Sequence, residues 1–305
     1  MTINEHLTAF GGFDVVAWTP GEPLPDPATT ICRLSVEWDE AQSWEEKFSA
    51  FLALPGVEAT PGLVVGWWST DDTETEPTAV VEALVGAHAR LPGLQALFFG
   101  DITYEENEVS WIMNTDLSPL LAAYPALRHL GVRGGNNLSL GQLDSGHLQT
   151  LIVQAGGLPV NVVREVMNAR LPNLEHLELY LGTENYGADS SAADLAPLLD
   201  GHLFPKLSYL GLKNSDHQDE IAQMIADAPV LDSLHTLDLS LGTLSDDGAL
   251  ALLGSQRVRR LTRLDLRHHY CTPEVSAQLG ELGPEVNLGD DQNRDDDWRF
   301  VALGE

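Results

Sequence analysis

The chain has 305 residues, with 16 Lys and Arg against 46 Asp and Glu, which gives a formal net charge of −30 at pH 7. We do not expect so acidic a chain to bind nucleic acid or an anionic membrane surface, because both require basic patches. Since 43% of the residues are hydrophobic and only 20% are charged, the chain has enough apolar material for a large core. The acidity is therefore expected on the surface of a folded protein.

Residues 1–30 differ in pattern from the rest of the chain. A short apolar stretch from Phe13 to Trp18 predicts a strand, and the four prolines between residues 20 and 27 predict an irregular excursion after it. The rest of the chain consists of sequence repeats, and a stack of such repeats exposes the apolar end of its first unit. Another segment of the chain must cover that end. We expect residues 1–30 to form this N-terminal cap.

The cysteines and the first ten residues bear on the cellular compartment. Cys32 and Cys271 lie far apart and have no C-x-x-C partner, so neither a disulfide framework nor a zinc site is indicated. Residues 1–10 have neither the basic start nor the continuous apolar stretch of a signal peptide. These features predict a cytoplasmic protein.

From residue 31 to residue 288 one pattern, L-x-x-L-x-L, recurs. Its last apolar positions alternate as in a strand, and successive complete copies begin 21 to 33 residues apart. The pattern predicts about nine to ten repeats. Complete copies begin at Leu94, Leu127, Leu148, Leu174, Leu207, Leu234 and Leu261, and partial copies begin at Ile31, Leu63 and Val286.

The segments between the strands carry helical periodicity, and proline or glycine ends most of them before the next strand. Each unit is therefore expected to consist of a strand, a loop, a helix and a second loop. Stacking such units places the strands in one curved parallel sheet on the inside and the helices outside it, an α/β solenoid. The predicted helices are 78–89, 120–124, 158–169, 191–199, 219–228 and 245–253.

These repeats resemble those of the leucine-rich-repeat superfamily, and the helices place the resemblance in its ribonuclease-inhibitor-like class. More narrowly, the chain resembles a bacterial family of cytoplasmic leucine-rich-repeat proteins encoded near radical-SAM genes, which implies no activity. The chain departs from the standard repeat after L-x-L, where asparagine or cysteine is usual. Only Asn214 comes near that position, so other groups must satisfy the backbone of the remaining turns.

Residues 289–305 are expected to form a C-terminal cap or an acidic tail. The alternation of acidic and amide side chains over residues 291–297 is that of a calcium-binding loop. However, Asp296 stands where such a loop has glycine, and Ala302 stands where it has a bidentate glutamate. A solvated acidic loop is therefore favoured over a calcium site.

The residues that alternate with the buried leucines are expected to point to the concave side of the sheet. Among the 27 such positions five are Lys or Arg, far above the share of these residues in the chain, so the face is near neutral. Aromatic and arginine side chains dominate the energetics of protein interfaces, which favours partner binding by this face. Parallel sheets also favour aromatic residues for structural reasons alone. A shift of the strand register by one residue would expose Trp67 in place of Trp68. The predicted partner-binding residues are Trp68, Phe98, His129, Arg133, His176, Glu178, Tyr180, Tyr209, Lys213, Arg263 and Arg267.

The sequence thus predicts a non-catalytic protein–protein interaction module, an adaptor or an inhibitor-like protein, that binds through its concave sheet. The acidic outer surface favours a basic partner. No cofactor or metal is predicted, because there is no phosphate-binding glycine loop and the group His268, His269 and Cys271 lacks a fourth ligand. The alternative is peptide or small-molecule binding, or a role as accessory subunit of an enzyme encoded nearby. A deep pocket with convergent polar groups would favour this alternative.

Overall fold

The structure is a computed structural model that describes residues 3–293 and 298–304. Its twelve strands form a single sheet, in which they lie side by side in the order of the chain. β1 and β2 are antiparallel, and all later neighbours are parallel. The acidic loop over residues 291–297, for which a calcium site was considered and not favoured, lies mostly outside the described residues, because residues 294–297 are not among them. The strands are β1 (Ala9–Phe10), β2 (Phe13–Ala17), β3 (Thr30–Leu34), β4 (Gly62–Val65), β5 (Ala96–Phe99), β6 (His129–Arg133), β7 (Thr150–Gln154), β8 (His176–Gly182), β9 (Tyr209–Ser215), β10 (Thr236–Asp238), β11 (Arg263–Asp265) and β12 (Glu285–Asn287).

The ten strands from β3 to β12 coincide with the ten predicted repeat copies, and the second leucine of each complete copy explains their register. Leu97 pairs with Leu130 on the next strand, and the same pairing continues from repeat to repeat as far as Leu237 with Leu264. All of these leucines are buried. A shift of one residue would turn each of them to the other face of the sheet, so burial of the leucines determines the pairing.

The helices lie on the outer side and cover the leucines. The α-helices are α1 (Trp44–Leu52), α2 (Thr78–Gly86), α3 (Ser118–Ala123), α4 (Val160–Met167), α5 (Gln218–Ile225), α6 (Asp246–Gly254) and α7 (Pro273–Gly280). Short 3₁₀ helices are Val57–Ala59, His88–Arg90, Glu184–Tyr186, Ala192–Leu198, Pro229–Asp232 and Val258–Arg260. The predicted helix 191–199 is thus a 3₁₀ segment, and it contains Pro197, whose ring is incompatible with the interior of an α-helix.

Side-chain caps define where several helices begin. The Ser43 hydroxyl accepts a hydrogen bond from the Glu46 N–H at 3.3 Å, and the Glu46 carboxylate accepts one from the Ser43 N–H at 3.2 Å, so both partners of a capping box are present before α1. Before α7 the Thr272 hydroxyl accepts a hydrogen bond from the Val275 N–H, and Pro273 is the first residue of the helix. These caps position the helices over one continuous apolar core that extends from Trp18 to Leu282.

Trp68 belongs to this core, which corrects the prediction that it lies on the concave face. Its ring stacks on Trp67 with centroids 6.3 Å apart and lies 5.5 Å from the ring of Phe99, and its indole N–H donates to the Thr75 carbonyl. The alternation fails because β4 already ends at Val65. Trp67 is buried as well, so the alternative register does not expose it either.

Truncating one leucine of the ladder tests the core. We expect Leu264→Ala to lower the free energy of unfolding by about 2 to 5 kcal/mol, because Leu264 is fully buried and its loss leaves a cavity. Chemical denaturation measures this value. Leu250→Ala, at an exposed position of α6, is the matched control and should cost less than about 0.5 kcal/mol. Equal effects of the two substitutions would contradict the placement of the ladder.

Candidate functional site

An N-terminal strap, residues 3–12, lies over the concave side of strands β4 to β6. The Phe10 ring meets the Phe98 ring edge-on at a centroid distance of 5.3 Å and lies 6.4 Å from the His129 ring. Phe10 and Phe98 form a second apolar cluster with Ile31, Val64 and Ala96. Phe98 points to the concave side as predicted, but the strap leaves only 1% of it exposed, so it is not available to a partner in this conformation.

A buried carboxylate, Asp101, holds the strap to the sheet. Both of its oxygens lie 3.2 Å from the Leu7 N–H, and His6 Nδ1 lies 3.4 Å from Oδ2. The guanidinium groups of Arg133, at 3.3 Å, and Arg33, at 3.9 Å, flank the same carboxylate. Two cations on one fully buried anion compensate for its desolvation.

Arg133 is therefore part of the interior and not an exposed contact. Besides its ion pair with Asp101, it donates to the Ile102 carbonyl at 2.6 Å and to Gln154 Oε1 at 2.9 Å. Its guanidinium carbon lies 5.5 Å from the centre of the Phe98 ring, close enough for a cation–π contact. The side chain is almost wholly buried. The prediction placed Arg133 on the correct face, but the strap and the neighbouring side chains cover it.

A second charge cluster lies in the middle of the concave face, where one lysine is shared by two carboxylates. Lys213 Nζ lies 3.1 Å from Asp238 Oδ2 and 3.4 Å from Glu178 Oε2. His176 Nε2 lies 3.2 Å from the other Glu178 oxygen. Burial opposes ionisation of Glu178, but the hydrogen bond with His176 and the charge of Lys213 outweigh it and lower its pKa to about 2. Glu178 is thus ionised at neutral pH.

Two tyrosines complete the central cluster. The Tyr209 hydroxyl donates to Asp238 Oδ2 at 2.7 Å, and its ring stacks on His176 with centroids 3.9 Å apart. Burial and the nearby carboxylates raise the pKa of Tyr209, so the hydroxyl keeps its proton for this bond. The Lys213 ammonium lies 4.8 Å from the centre of the Tyr180 ring. The structure therefore brings together five of the predicted residues, with His176 and Tyr209 half-buried and the others more covered.

A third cluster lies on β11, where one carboxylate is again shared by two cations. Asp265 is buried, with Arg263 at 3.7 Å and Arg267 at 3.5 Å, and it accepts a hydrogen bond from Asn287 at 3.0 Å. The arginine side chains are 47% and 40% exposed. The Arg267 atom in this ion pair is the buried Nε, which lies 3.5 Å from Asp265 Oδ1. The concave face therefore alternates along its length, with excess positive charge at both ends and excess carboxylate in the middle.

A C-terminal segment, residues 298–304, crosses the carboxyl ends of the later strands. The Asn214 side chain donates to the Leu303 carbonyl at 2.6 Å and accepts from the Leu303 N–H at 2.8 Å. The Ala302 N–H donates to the Leu241 carbonyl. Ala302 and Leu303 pack on Tyr180, Leu241 and Ile3 of the strap. Asn214, the single residue near the standard asparagine position, thus binds this segment.

Between the strap and the C-terminal segment the concave side of β7 to β11 stays open as a trough. One cavity of about 380 Å³ lies beside Phe10 and includes His129, Ile152 and His176. Another of about 420 Å³ lies beside Ile3 and includes Gln154 and Arg267. The face is therefore neither a broad open arc nor a single deep pocket. The trough is lined by the partly exposed side chains of His129, Thr150, Ile152, Gln154, His176, Tyr209, Thr236, Arg263 and Arg267.

His129 is a hydrogen-bonding group of this trough. Burial, reinforced by Arg128, lowers its pKa, so the ring is neutral at pH 7. Its Nδ1 lies 3.0 Å from the Thr150 hydroxyl. Within residues 3–293 and 298–304 no group of three or more His, Cys, Asp or Glu side chains is placed to hold a metal ion, and the helices there are too short or too polar to cross a membrane.

Three acidic residues of this site were not singled out from the sequence. Asp101, Asp238 and Asp265 each pair with predicted cations, and the last two stand between the final leucines of their repeats. An aspartate at that position turns to the concave face beside the charges of the next strand. That recurrence of L-D-L was the available signal for two of them, whereas Asp101 follows its strand and shows no such pattern.

Comparison with solved structures identifies a similar protein from Bacteroides fragilis, which was a structural-genomics target. The TM-score is 0.82 at 30% sequence identity, and the match covers 90% of this chain and 77% of that chain. An internalin, InlF, from Listeria monocytogenes matches with a TM-score of 0.46 at 15% identity, over 87% of this chain and 62% of the internalin. No family model matches the chain, and the comparison with curated proteins found no match.

Proposed function

We propose that this chain, which belongs to the same family as the Bacteroides fragilis protein, is a non-catalytic interaction module that receives a segment of a protein partner in its trough. Its fold is an α/β leucine-rich-repeat solenoid. Stacked repeats of this kind present an extended concave surface, which repeat proteins use for binding. The full α-helices on the outer side support placing the chain in the ribonuclease-inhibitor-like class.

The observation that carries the proposal is the fixed position of the half-exposed side chains in the trough. His176 is stacked on Tyr209, and both are hydrogen-bonded to buried carboxylates. Arg263 and Arg267 are held by buried Asp265. Aromatic and arginine side chains that are already ordered lose little entropy on binding, which is the property of interface hot spots.

The size of the trough favours a narrow segment over a flat protein surface. Its two cavities, of about 380 and 420 Å³, are within the range of sites that bind small ligands and short peptides. The guanidinium groups of Arg263 and Arg267, whose side chains are 47% and 40% exposed, are donors for a carboxylate or a carbonyl of the segment. We therefore assign the β11 end of the trough to an acidic side chain or carbonyl group of the partner.

The overall charge favours a partner that is basic outside the contacting segment. The net charge is −30, whereas the charges on the concave face nearly balance, so the negative field comes from the rest of the surface. Such a field accelerates association with a basic protein and weakens as salt rises. Cys32 and Cys271 are both buried and form no disulfide, which supports a reducing cytoplasm as the site of action.

Affinity capture from the native host tests this function. We expect the tagged wild-type protein to retain a stoichiometric partner that Arg263→Glu loses, because the substitution reverses a charge at the β11 end of the trough. Arg170→Glu, which makes the same charge change at a fully exposed site, is the matched control and should retain the partner. Mass spectrometry identifies and quantifies the recovered proteins.

Three results would contradict the proposal in whole or in part. Equal recovery by all three proteins would place the binding site outside the trough, and absence of any stoichiometric protein would contradict the interaction function itself. Recovery that stays constant between low and high salt would contradict the electrostatic attraction of a basic partner.

A further inference from the structure

Exposed aromatic side chains gather at one edge of the solenoid. Among the described residues the exposed large hydrophobic side chains are Val16, Trp38, Tyr104, Trp111, Leu250, Trp298 and Phe300. The five aromatic ones all lie beyond the carboxyl ends of the strands, in the loops after β3 and β5 or in the C-terminal segment. We name this edge, defined by these five aromatic residues, the aromatic rim. Exposed aromatic residues that recur along one edge of a protein are candidates for an interaction surface.

The C-terminal part of the rim is held in place by its backbone. The Phe300 N–H donates to the Tyr270 hydroxyl at 2.8 Å, and that hydroxyl donates to the Phe300 carbonyl at 2.9 Å. His268 Nε2 lies 3.1 Å from the same carbonyl. The Phe300 ring is nevertheless 68% exposed, and the Trp298 ring is 74% exposed. The backbone of Phe300 is thus fixed, although the rings of Phe300 and Trp298 are both largely exposed.

The loop after β5 joins this segment at the rim. Gly156 is packed closely by the Gly304 carbonyl on one side and by Ser110 on the other, and a Cβ at Gly156 would lie 2.7 Å from that carbonyl and 3.2 Å from the Ser110 Cβ. Trp111, the next residue, is 56% exposed. Trp111, Trp298 and Phe300 therefore belong to one continuous edge.

A cavity of about 520 Å³ lies among the rings of this edge, and its surroundings are acidic. Trp298, Phe300, Asn185 and Asp216 line it, and Glu184 is exposed beside it. The cation between the two aromatic residues, Arg299, is already paired with Asp219 at 3.1 Å. The edge therefore offers aromatic faces and carboxylates, and the cation within it is already bound.

Carboxylates beside aromatic residues continue along the rim. Glu37 and Asp39 flank Trp38, and Glu105 follows Tyr104; all three acidic side chains are exposed. Aromatic faces bind ammonium and guanidinium groups, and neighbouring carboxylates add charge attraction. We propose that the aromatic rim binds a lysine- or arginine-rich segment of a protein partner. The rim lies beyond the carboxyl ends of the strands, whereas the trough lies on the concave face of the sheet.

Binding of an arginine peptide tests the rim. The probe is a fluorescent peptide of alternating arginine and serine, compared with the same peptide carrying uncharged citrulline in place of arginine. We expect the double variant Trp298→Ala, Phe300→Ala to bind the arginine peptide about tenfold more weakly than the wild type, although its net charge is unchanged. Leu250→Ala, exposed on α6, should bind like the wild type.

Further variants separate the possible outcomes. Arg263→Glu should keep its affinity for the arginine peptide, since it lies in the trough. Thermal melting should be the same for the double variant and the wild type, because Phe300 is held through its main chain. If melting changes, Trp111→Ala tests the rim outside the C-terminal segment, with a severalfold loss of affinity expected. Equal affinity of the aromatic variants and the wild type, or equal affinity for arginine and citrulline peptides, would overturn the proposal.

Discussion

Asp101→Ala is expected to lower the free energy of unfolding by about 3 to 5 kcal/mol. Asp101 is fully buried, and its removal leaves the buried Arg133 guanidinium without its counter-charge. The strap also loses the acceptor for its Leu7 N–H. Urea denaturation measures the loss of stability, and limited proteolysis should show earlier cleavage within residues 3–12.

The double variant Asp101→Ala, Arg133→Met tests whether the loss of stability comes from the buried Arg133 charge. If the loss comes from an uncompensated buried cation, removing that cation should restore part of the stability. Asp144→Ala removes a carboxylate of similar type from an exposed ion pair with Arg170 and should leave stability nearly unchanged. No recovery in the double variant would contradict the assignment of Asp101 as counter-ion to Arg133.

Lys213→Met should cost a similar amount, about 3 to 5 kcal/mol at pH 7, because it leaves Glu178 and Asp238 buried without their shared cation. The substitution should also change how the free energy of unfolding depends on pH. In the wild type the pKa of Glu178 is lowered to about 2 from 4.5. Its contribution, about 3 kcal/mol, is present above pH 4.5 and is lost as pH falls toward 2.

In Lys213→Met the two carboxylates keep their contacts with His176 and Tyr209 but lose their shared cation. The buried cluster should then take up a proton more readily in the folded state, so stability should rise as the pH falls from 7 toward 4.5. Denaturation curves across this range measure the sign of the slope. Lys213→Met combined with Glu178→Gln should recover much of the stability at pH 7. A variant as stable as the wild type at pH 7, or one losing stability throughout this range, would contradict the ionised central cluster.

The repeats and the strand register follow from local patterns in the sequence. Leu237 and Leu264 stand at the same place in successive L-x-x-L-x-L copies, and their pairing needs no knowledge of distant residues. Helix positions follow similarly from periodicity and from Ser, Thr and Pro at their starts. The α-helix at 246–254, for example, lies within one residue of the prediction at each end.

Accessibility of the concave face depended on contacts between distant residues. Phe98 is covered by Phe10, 88 positions away, and no local pattern shows that residues 3–12 fold over the sheet. Lys213 was identified as a cation on the concave face, but its burial depends on Glu178 and Asp238 from neighbouring repeats. Tyr180 is covered by Leu303 in the same way. The face of the sheet to which a side chain points follows from strand alternation. Whether that side chain is exposed depends on which distant residues fold over it.

The packing of Ile3 against Ala302 and Leu303 changes how the array is expected to unfold. In a simple solenoid each repeat contacts only its neighbours, so the outer repeats can fray while the middle remains folded. Here Ile3 packs against the same apolar cluster that contains Ala302 and Leu303, and Asn214 in the ninth strand binds Leu303. Unfolding of the early repeats removes the packing of Ile3 on the cluster at the later repeats, and unfolding of the later repeats removes the cluster on which Ile3 packs. The early and late repeats should therefore unfold together, in one cooperative transition.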